Sequence, residues 1–450
     1  MADLAKLSHH NPYRNHVFHR VIVSALVLLL SCTAATSDRQ PPLISQLAKD
    51  PETSLYTISV KADKSPLLLD LAGSLVWSTC PPSSAHSTVP CESDTCAVAK
   101  QQSSRRCRYV DGGRFWENRE PGSSWCACAA RPLNPVTGEC STGDLTSLTM
   151  KANTTNGTMV LRPEESFAVV GACAPGRLLS SLPAGAAGVA GLSPRSLSLP
   201  SQLAAQRGFG RKFSLCLPAF ATFGDTPVYL PTPDPRRLID YTTSIPYTPL
   251  LTNPANAGGY YIPVKGISAS WHGADAAAAL PHGALDIDVR TGRGGVVLST
   301  ATPYTIMRPD VFRAFAKAFD HAIIRGKVSF MERVPATKPF ELCYHGAFPM
   351  LKRAGLDMPY IELELGDGAT RNWTLFNDNY MVPVDGAMCV GILPMGPGGM
   401  PVDGEPAVVI GGKQLENNLL VFDLEKQVLG FSMLLSVQLS GCRTSYFFGN

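Results

Sequence analysis

Short apolar runs, separated by turn-forming residues, recur along most of the chain. Gly, Pro, Asn or Asp bound most of them, which is typical of short β-strands and predicts an all-β body. The runs are Leu55–Val60, Pro66–Asp70, Leu145–Met150, Met159–Leu161, Phe167–Val170, Val296–Ser299, Ile361–Leu365, Ala407–Ile410 and Leu419–Phe422.

One segment has the period of a helix instead. Between Pro309 and Ile324, the apolar residues Phe312, Phe315, Phe319 and Ile323 recur at spacings that place them on one helical face. Pro309 suits the first turn, because its missing N–H would have no helical partner there. We therefore predict a helix over 309–324 whose aromatic face lies in the core.

The N-terminal segment has the pattern of a secretory signal. Basic residues precede an apolar run over 21–30, and small residues follow at 33–35. The alternative is a membrane anchor, but a run of about ten residues is too short to span a bilayer. We expect a signal peptide over 1–35 with cleavage near Ala35, and a mature protein that is secreted to the extracellular space and has no membrane partner.

Composition and charge narrow the class of protein. The 450 residues are 45% apolar and 17% charged, which excludes wholesale disorder. Lys and Arg number 39 against 36 Asp and Glu, a net charge of +3. A nucleic-acid partner is disfavoured, because such proteins carry a larger, clustered excess of cations. No cofactor is indicated, and we expect a monomer.

Cysteine usage agrees with export. Of 13 cysteines, Cys32 lies in the predicted signal, and the even remainder predicts six disulfides in a secreted chain. Spacing alone does not give their connectivity. Zinc is disfavoured, because paired C-x₂-C knuckles are absent from the sequence. Glycosylation sequons at Asn153, Asn156 and Asn372 fit the same compartment. The mature cysteines are Cys80, Cys91, Cys96, Cys107, Cys126, Cys128, Cys140, Cys173, Cys216, Cys343, Cys389 and Cys442.

A weak internal duplication divides the chain into halves. The runs ending at Asp70 and at Ser299 each enter a tight loop, and each is followed about a hundred residues later by a small or apolar run containing Gly, at 187–192 and 407–412. This arrangement predicts two β-rich lobes, over 41–225 and 259–443, around a shared cleft. The Pro-rich stretch 226–258 is the predicted crossing between them.

The duplicated pattern resembles the pepsin-like aspartic peptidases. Active members carry Asp-Thr-Gly-Ser in the first loop and Asp-Ser-Gly-Thr in the second. Here the first loop begins Asp70-Leu71-Ala72, and Ser299 stands where the second Asp belongs. Aspartic proteolysis needs two carboxylates that share a proton, and a hydroxyl cannot replace one of them. We therefore predict a degenerate dyad at Asp70 and Ser299 and no catalytic residues; an endopeptidase that tolerates Ser299 stays as an alternative.

A closer resemblance is to the cereal xylanase inhibitors of the pepsin-like type. It rests on collinear segments including Ala172–Pro175, Arg308–Val311 and Leu420–Gly430. The resemblance implies bridges Cys216–Cys442 and Cys343–Cys389, with the remaining bridges in the first lobe. It also implies a non-enzymatic, secreted inhibitor of microbial family-eleven xylanases, active in plant defence at the cell wall.

The resemblance also points to the residues that would contact a xylanase. Inhibitory members insert loops of the second lobe into the cleft, one with an apolar residue and one with a histidine. Here Arg353, beside Lys352, stands at the apolar position, and Gln438 stands at the histidine position. Arg353 can pair with carboxylates, whereas Gln438 cannot carry a countercharge. Two alternatives stay open: Lys352 and Arg353 as a solvated turn, and the chain as a non-inhibitory binding or storage glycoprotein.

Overall fold

Strands dominate the part of the chain that the structure describes. The computed structural model describes residues 40–80, 87–102, 107–109, 126–158, 160, 162–232, 239–326, 331–346, 350–351, 355–366, 371–443 and 445–448. From Pro41 onward these residues belong to one compact unit. The predicted signal over 1–35 lies outside the described residues, as do two residues of the predicted strand Met159–Leu161.

The first part of the chain forms most of a 13-stranded sheet. Three other strands of this part, β5, β7 and β8, form a separate small sheet. The strands of the first part are β1 (Leu43–Lys49), β2 (Tyr56–Ile58), β3 (Leu67–Asp70), β4 (Val76–Thr79), β5 (Arg108–Tyr109), β6 (Ala129–Ala130), β7 (Leu133–Asn134), β8 (Glu139–Cys140), β9 (Gly143–Thr154), β10 (Glu164–Ala174), β11 (Gly188–Gly191), β12 (Lys212–Cys216) and β13 (Phe220–Phe223).

The second part forms several smaller sheets and returns three strands, β14, β30 and β31, to the large one. Its strands are β14 (Tyr247–Pro249), β15 (Tyr260–Ile262), β16 (Val264–Trp271), β17 (Ala274–Ala277), β18 (Val296–Leu298), β19 (Thr305–Met307), β20 (Met331–Val334), β21 (Cys343–Gly346), β22 (Met350–Leu351), β23 (Gly355–Leu356), β24 (Tyr360–Leu365), β25 (Trp373–Leu375), β26 (Met381–Val384), β27 (Ala387–Val390), β28 (Ile392–Pro394), β29 (Val408–Ile410), β30 (Leu419–Asp423) and β31 (Val428–Phe431).

Helices are short apart from one. They are α1 (Asp94–Gln102), α2 (Leu199–Arg207), α3 (Tyr241–Ser244), α4 (Pro309–Arg325), α5 (Asn377–Tyr380), α6 (Gly412–Leu415) and α7 (Ser445–Phe448), with 3₁₀ turns at Gly176–Leu179 and Leu435–Gln438. Among the described residues, none of the helices combines the length and the hydrophobicity that a membrane span requires.

The predicted helix is confirmed as α4. Pro309 lies in its first turn, and the four apolar residues predicted to face the core are all at most 8% exposed. Phe315 and Phe319 are fully buried, and the helix packs against β16 and β17. Burial of its aromatic face therefore fixes α4 on the sheet.

The predicted duplication is confirmed by the strand pairing. In the first half β2, β3, β11, β4 and β10 lie side by side, and in the second half β15, β18, β29, β19 and β28 do the same. Both sets alternate in the same way: antiparallel, parallel, antiparallel, parallel. The loops after β3 and after β18 are therefore equivalent positions of two similar five-strand units.

Six disulfides close the described chain, as predicted. Cys216–Cys442 ties the end of β12 to the C-terminal region, and Cys343–Cys389 joins β21 to β27. Both bridges implied by the family resemblance are thus present. The other four lie in the first half, at Cys80–Cys173, Cys91–Cys126, Cys96–Cys128 and Cys107–Cys140.

Candidate functional site

Two equivalent strand ends form the centre of the candidate site. β3 is buried along its whole length and ends at Asp70, while β18 is equally buried and is followed directly by Ser299. Asp70 is 4% exposed and Ser299 is 3% exposed. The sequence prediction paired these two residues, and the fold places them at matching positions.

Thr300 joins the two loops by hydrogen bonds. Its hydroxyl donates to the Leu69 carbonyl oxygen at 2.6 Å and accepts from the Leu71 N–H at 3.1 Å. The residues on either side of Asp70 are therefore held by the residue that follows Ser299. Leu71, the equivalent of Thr300 in the first loop, is fully buried but has no hydroxyl to return these bonds. The connection between the loops is one-sided.

The carboxyl group of Asp70 is in an environment that favours its neutral form. Burial raises the pKa of Asp70 to about 6, against hydrogen bonds from the backbone of Ala72 and Gly73, which lower it. The Ala72 N–H donates to Asp70 Oδ1 at 3.0 Å. Desolvation outweighs these bonds, because loss of water penalises the anion more than two amide dipoles stabilise it.

Ser299 takes part in a local hydroxyl contact. Its Oγ lies 3.2 Å from Thr302 Oγ1. A hydroxyl there can neither share a proton with Asp70 as an acid–carboxylate pair does nor serve as a carboxylate base toward water. The arrangement offers one buried acid and one buried alcohol, which is not the chemistry of an aspartic peptidase.

The loop after β3 approaches β11 closely at Gly73. A Cβ at Gly73 would lie 2.7 Å from the Gly191 Cα and 2.9 Å from Asp70 Oδ2, so any side chain there would displace the carboxyl group. Ala72 and Ala301, which replace glycines of the active pattern, are only half-buried. The methyl group at position 72 is thus accommodated, and the crowded position is the next one.

Three further acids near the second loop in sequence are bound elsewhere. Asp286 pairs with Lys265 at 2.8 Å, and Asp310 pairs with Arg308 at 2.6 Å in the first turn of α4. The Asp288 carboxylate accepts backbone N–H groups of its own turn, which lower its pKa. Their hydrogen bonds therefore hold these carboxylates in local pairs and turns.

The predicted partner-contacting residues fall partly outside the described chain. Lys352 and Arg353 lie outside it, between β22 and β23, which pair with each other. Just after β23, Asp357 accepts the Trp271 indole N–H at 2.8 Å and lies 3.0 Å from His272 Nε2. This contact anchors the base of the hairpin to β16.

Gln438 is exposed at the end of the second 3₁₀ turn. The next residue, Leu439, has a φ of 58° and is 45% exposed. A large apolar side chain is thus held outward beside Gln438, in a left-handed conformation that β-carbon-bearing residues seldom adopt. Sequence reasoning missed Leu439, because nothing in its identity signals that conformation.

The predicted glycosylation sites differ in their surroundings. Asn156 is exposed, and its Oδ1 accepts from the Thr158 hydroxyl at 2.7 Å. Asn372 is exposed as well, but its amide donates to Glu362. Asn153 lies in β9 and donates to the Arg162 carbonyl oxygen at 2.9 Å. Glycan occupancy of all three stays a prediction.

Fold and site define a pepsin-like protein whose second loop lacks the acid. Comparison with family models agrees: residues 55–225 match "Xylanase inhibitor N-terminal", and residues 259–433 match "Xylanase inhibitor C-terminal". The chain belongs to this xylanase-inhibitor-type family of pepsin-like proteins.

Similar proteins carry several different names. The rice (Oryza sativa subsp. japonica) protein "Chitinase CLP" is 39% identical over 403 residues, covering 88% of each chain. "Probable aspartic proteinase GIP2" of Nicotiana benthamiana is 29% identical and covers 94% of this chain and 96% of the relative.

Solved structures show the same fold. The structure titled "Crystal structure of edgp" has a TM-score of 0.76 at 28% identity, covering 90% of this chain and 97% of that one. Conglutin gamma from lupine seeds has a TM-score of 0.68 at 27% identity, covering 91% and 100%.

Proposed function

We propose that this chain is a secreted, non-proteolytic protein that inhibits microbial endo-1,4-β-xylanases of glycoside hydrolase family eleven. The observation that carries the proposal is the hydroxyl of Ser299 at the position equivalent to Asp70, within a family matched by two xylanase-inhibitor models. A pepsin-like scaffold without its second acid keeps its shape and its surface loops. Binding is the function that such a scaffold can still perform.

The disulfides support an extracellular location. Six bridges, in both halves of the chain, form and persist in oxidising compartments. Secretion through that route would also expose the sequons at Asn153, Asn156 and Asn372 to glycosylation. The cell wall, where plant proteins meet microbial xylanases, is the proposed site of action.

Inhibition would occur by occlusion of the xylanase cleft. Such a cleft contains two carboxylates that carry out the hydrolysis. We propose that the hairpin carrying Lys352 and Arg353 presents a guanidinium to them, because Arg forms bidentate pairs with carboxylates. Gln438 and the outward-facing Leu439 would contact the rim, in an interface of about 1,600 Å² in total.

Paired assays on the secreted protein test the proposal. Inhibition of a family-eleven xylanase is measured beside acid proteolysis of a denatured protein substrate. Arg353→Ala is expected to weaken inhibition, whereas Arg371→Ala, at an exposed arginine away from that hairpin in sequence, serves as the matched control. Xylanase inhibition without proteolysis supports the proposal. Proteolysis by the wild type that is abolished in Asp70→Asn would show a peptidase. The absence of both inhibition and proteolysis would favour a binding or storage glycoprotein.

A second candidate comes from the name of the rice relative. That protein, 39% identical, is called a chitinase. The raised pKa of Asp70, about 6, suits a proton donor toward a glycosidic oxygen, but glycosidases use two carboxylates and Ser299 stands at the equivalent position. Release of sugars from chitin oligosaccharides, abolished in Asp70→Asn, would establish this activity. Absence of release by the wild-type protein would reject it.

A further inference from the structure

The outer face of α4 carries a row of basic side chains. Arg313, Lys317, His321 and Arg325 recur every fourth residue, and all four are exposed. At a rise of 1.5 Å per residue the row extends over about 18 Å. Because the opposite face of α4 is buried against β16 and β17, the row is held on a rigid support.

Local acids do not neutralise this row. Within the described part of the chain, none of its four residues forms an ion pair. The two acids of α4 are bound by other groups: Asp310 by Arg308, and Asp320 by Arg333 and the Tyr344 hydroxyl. Positive charges four residues apart repel each other and destabilise a helix.

The helix dipole accounts for only one end of the row. A cation in the last turn is stabilised there, which suits Arg325. Arg313 lies in the first half of α4 and Lys317 at its centre, where the dipole gives no such benefit. Arg313 and Lys317 therefore repel each other without help from the dipole, and an external anion would relieve that repulsion.

We propose that this row binds a linear acidic polysaccharide, one carrying a carboxylate on successive sugars. A single file of cations matches a single extended chain of anions. A lipid surface fits less well, because Ile324 is the one large apolar side chain that α4 exposes. Nucleic acid fits less well too, because the whole chain has a net charge of only +3. The proposal stands whether or not the protein inhibits xylanases.

Binding of a defined oligogalacturonate to the full secreted chain tests the proposal, with calorimetry at low salt and at physiological ionic strength. The test variant is Arg313→Gln, Lys317→Gln and Arg325→Gln together, since Gln removes charge but favours helix. It is expected to bind at least about tenfold more weakly, and wild-type affinity is expected to fall by about tenfold as salt rises fourfold.

A charge-matched control removes three exposed cations elsewhere. Lys64→Gln, Arg290→Gln and Lys338→Gln together give the same net charge, and this variant should bind like the wild type. Thermal unfolding verifies that both triple variants are folded. Equal weakening in both triple variants would overturn the proposal, as would wild-type affinity in the test variant. Stronger binding to phosphatidylserine vesicles than to the oligogalacturonate would overturn the assignment to a polysaccharide.

Discussion

The buried carboxyl group of Asp70 makes the stability of the protein depend on pH. Asp70→Asn replaces it with a group of nearly the same shape that cannot ionise, and that resembles the protonated acid. In the folded protein burial raises the pKa of Asp70 from its ordinary 3.8 to about 6. The folded state therefore binds this proton more tightly than the unfolded state does.

The sign and the size follow from that difference. Below about pH 3 the carboxyl is protonated in both states, and Asp70 carries almost no penalty. As the pH rises toward 7, the unfolded chain releases this proton easily, whereas the folded protein must either keep it or ionise a buried group. The free energy of unfolding therefore falls. At about 1.4 kcal/mol per pKa unit, the loss approaches about 3 kcal/mol at pH 7.5. The Asp70→Asn variant should not show this loss of stability, because Asn cannot ionise.

Equilibrium urea unfolding with the disulfides intact measures the effect. The free energy of unfolding of Asp70→Asn, minus that of the wild type, is expected to grow by about 2.4 kcal/mol between pH 4 and pH 7.5. Asp275→Asn is the control, because Asp275 is exposed on β17 and hydrated in both states. A difference that stays constant with pH, or shrinks as pH rises, would refute the burial argument.

Three further substitutions probe the site and its surface. Thr300→Val should lower the free energy of unfolding by about 2 kcal/mol, because it leaves the buried Leu71 N–H without an acceptor. Thr302→Val, the control, should lower it by less than about 1 kcal/mol. Equal losses would contradict the role of Thr300. Ser299→Asp should be less stable than Ser299→Asn by about 3 kcal/mol at pH 7.5 but not at pH 4, because a second buried acid must also ionise; equal urea midpoints at both pH values would contradict this. Gln438→His should strengthen xylanase inhibition by about tenfold at pH 5 and little at pH 8, because a protonated imidazole can pair with the carboxylates of the cleft; an inhibition constant that ignores pH would remove position 438 from the contact.

Much of the fold could be predicted because its signals are local. Strands with buried apolar runs, such as those ending at Asp70 and Ser299, and the aromatic face of α4 are visible in short windows of sequence. The element bounds moved by a few residues: the predicted strand 145–150, for example, is the middle of β9 (Gly143–Thr154). β9 extends beyond the predicted bounds because it pairs along its length with the antiparallel strand β10. A short window of sequence does not reveal that partner.

The missing acid of the site could be predicted, but the one-sided hydrogen bonding between its two loops could not. Comparison of motifs identifies Leu71 and Ser299 as replacements, because each is a change of residue type at a known position. That the Thr300 hydroxyl bonds both Leu69 and Leu71 depends on a contact across more than 200 residues. The exposed row on α4 was also missed, because attention to the apolar period describes only the inner face.

Retention of Asp70 without its partner has a physical explanation in the pH dependence above. An unpartnered buried carboxylate destabilises the fold at neutral pH, and Asn could accept the Ala72 N–H equally well. In an acidic medium the penalty is smaller: at pH 5, between the unfolded and folded pKa values, about 1.6 kcal/mol of it remains. At the proposed location in the cell wall, substitution of Asp70 would therefore gain about half of the stability that it would gain at neutral pH. At neutral pH the same substitution would raise the free energy of unfolding by about 3 kcal/mol. The pH profile of Asp70→Asn therefore also measures how strongly burial disfavours the ionised form of Asp70.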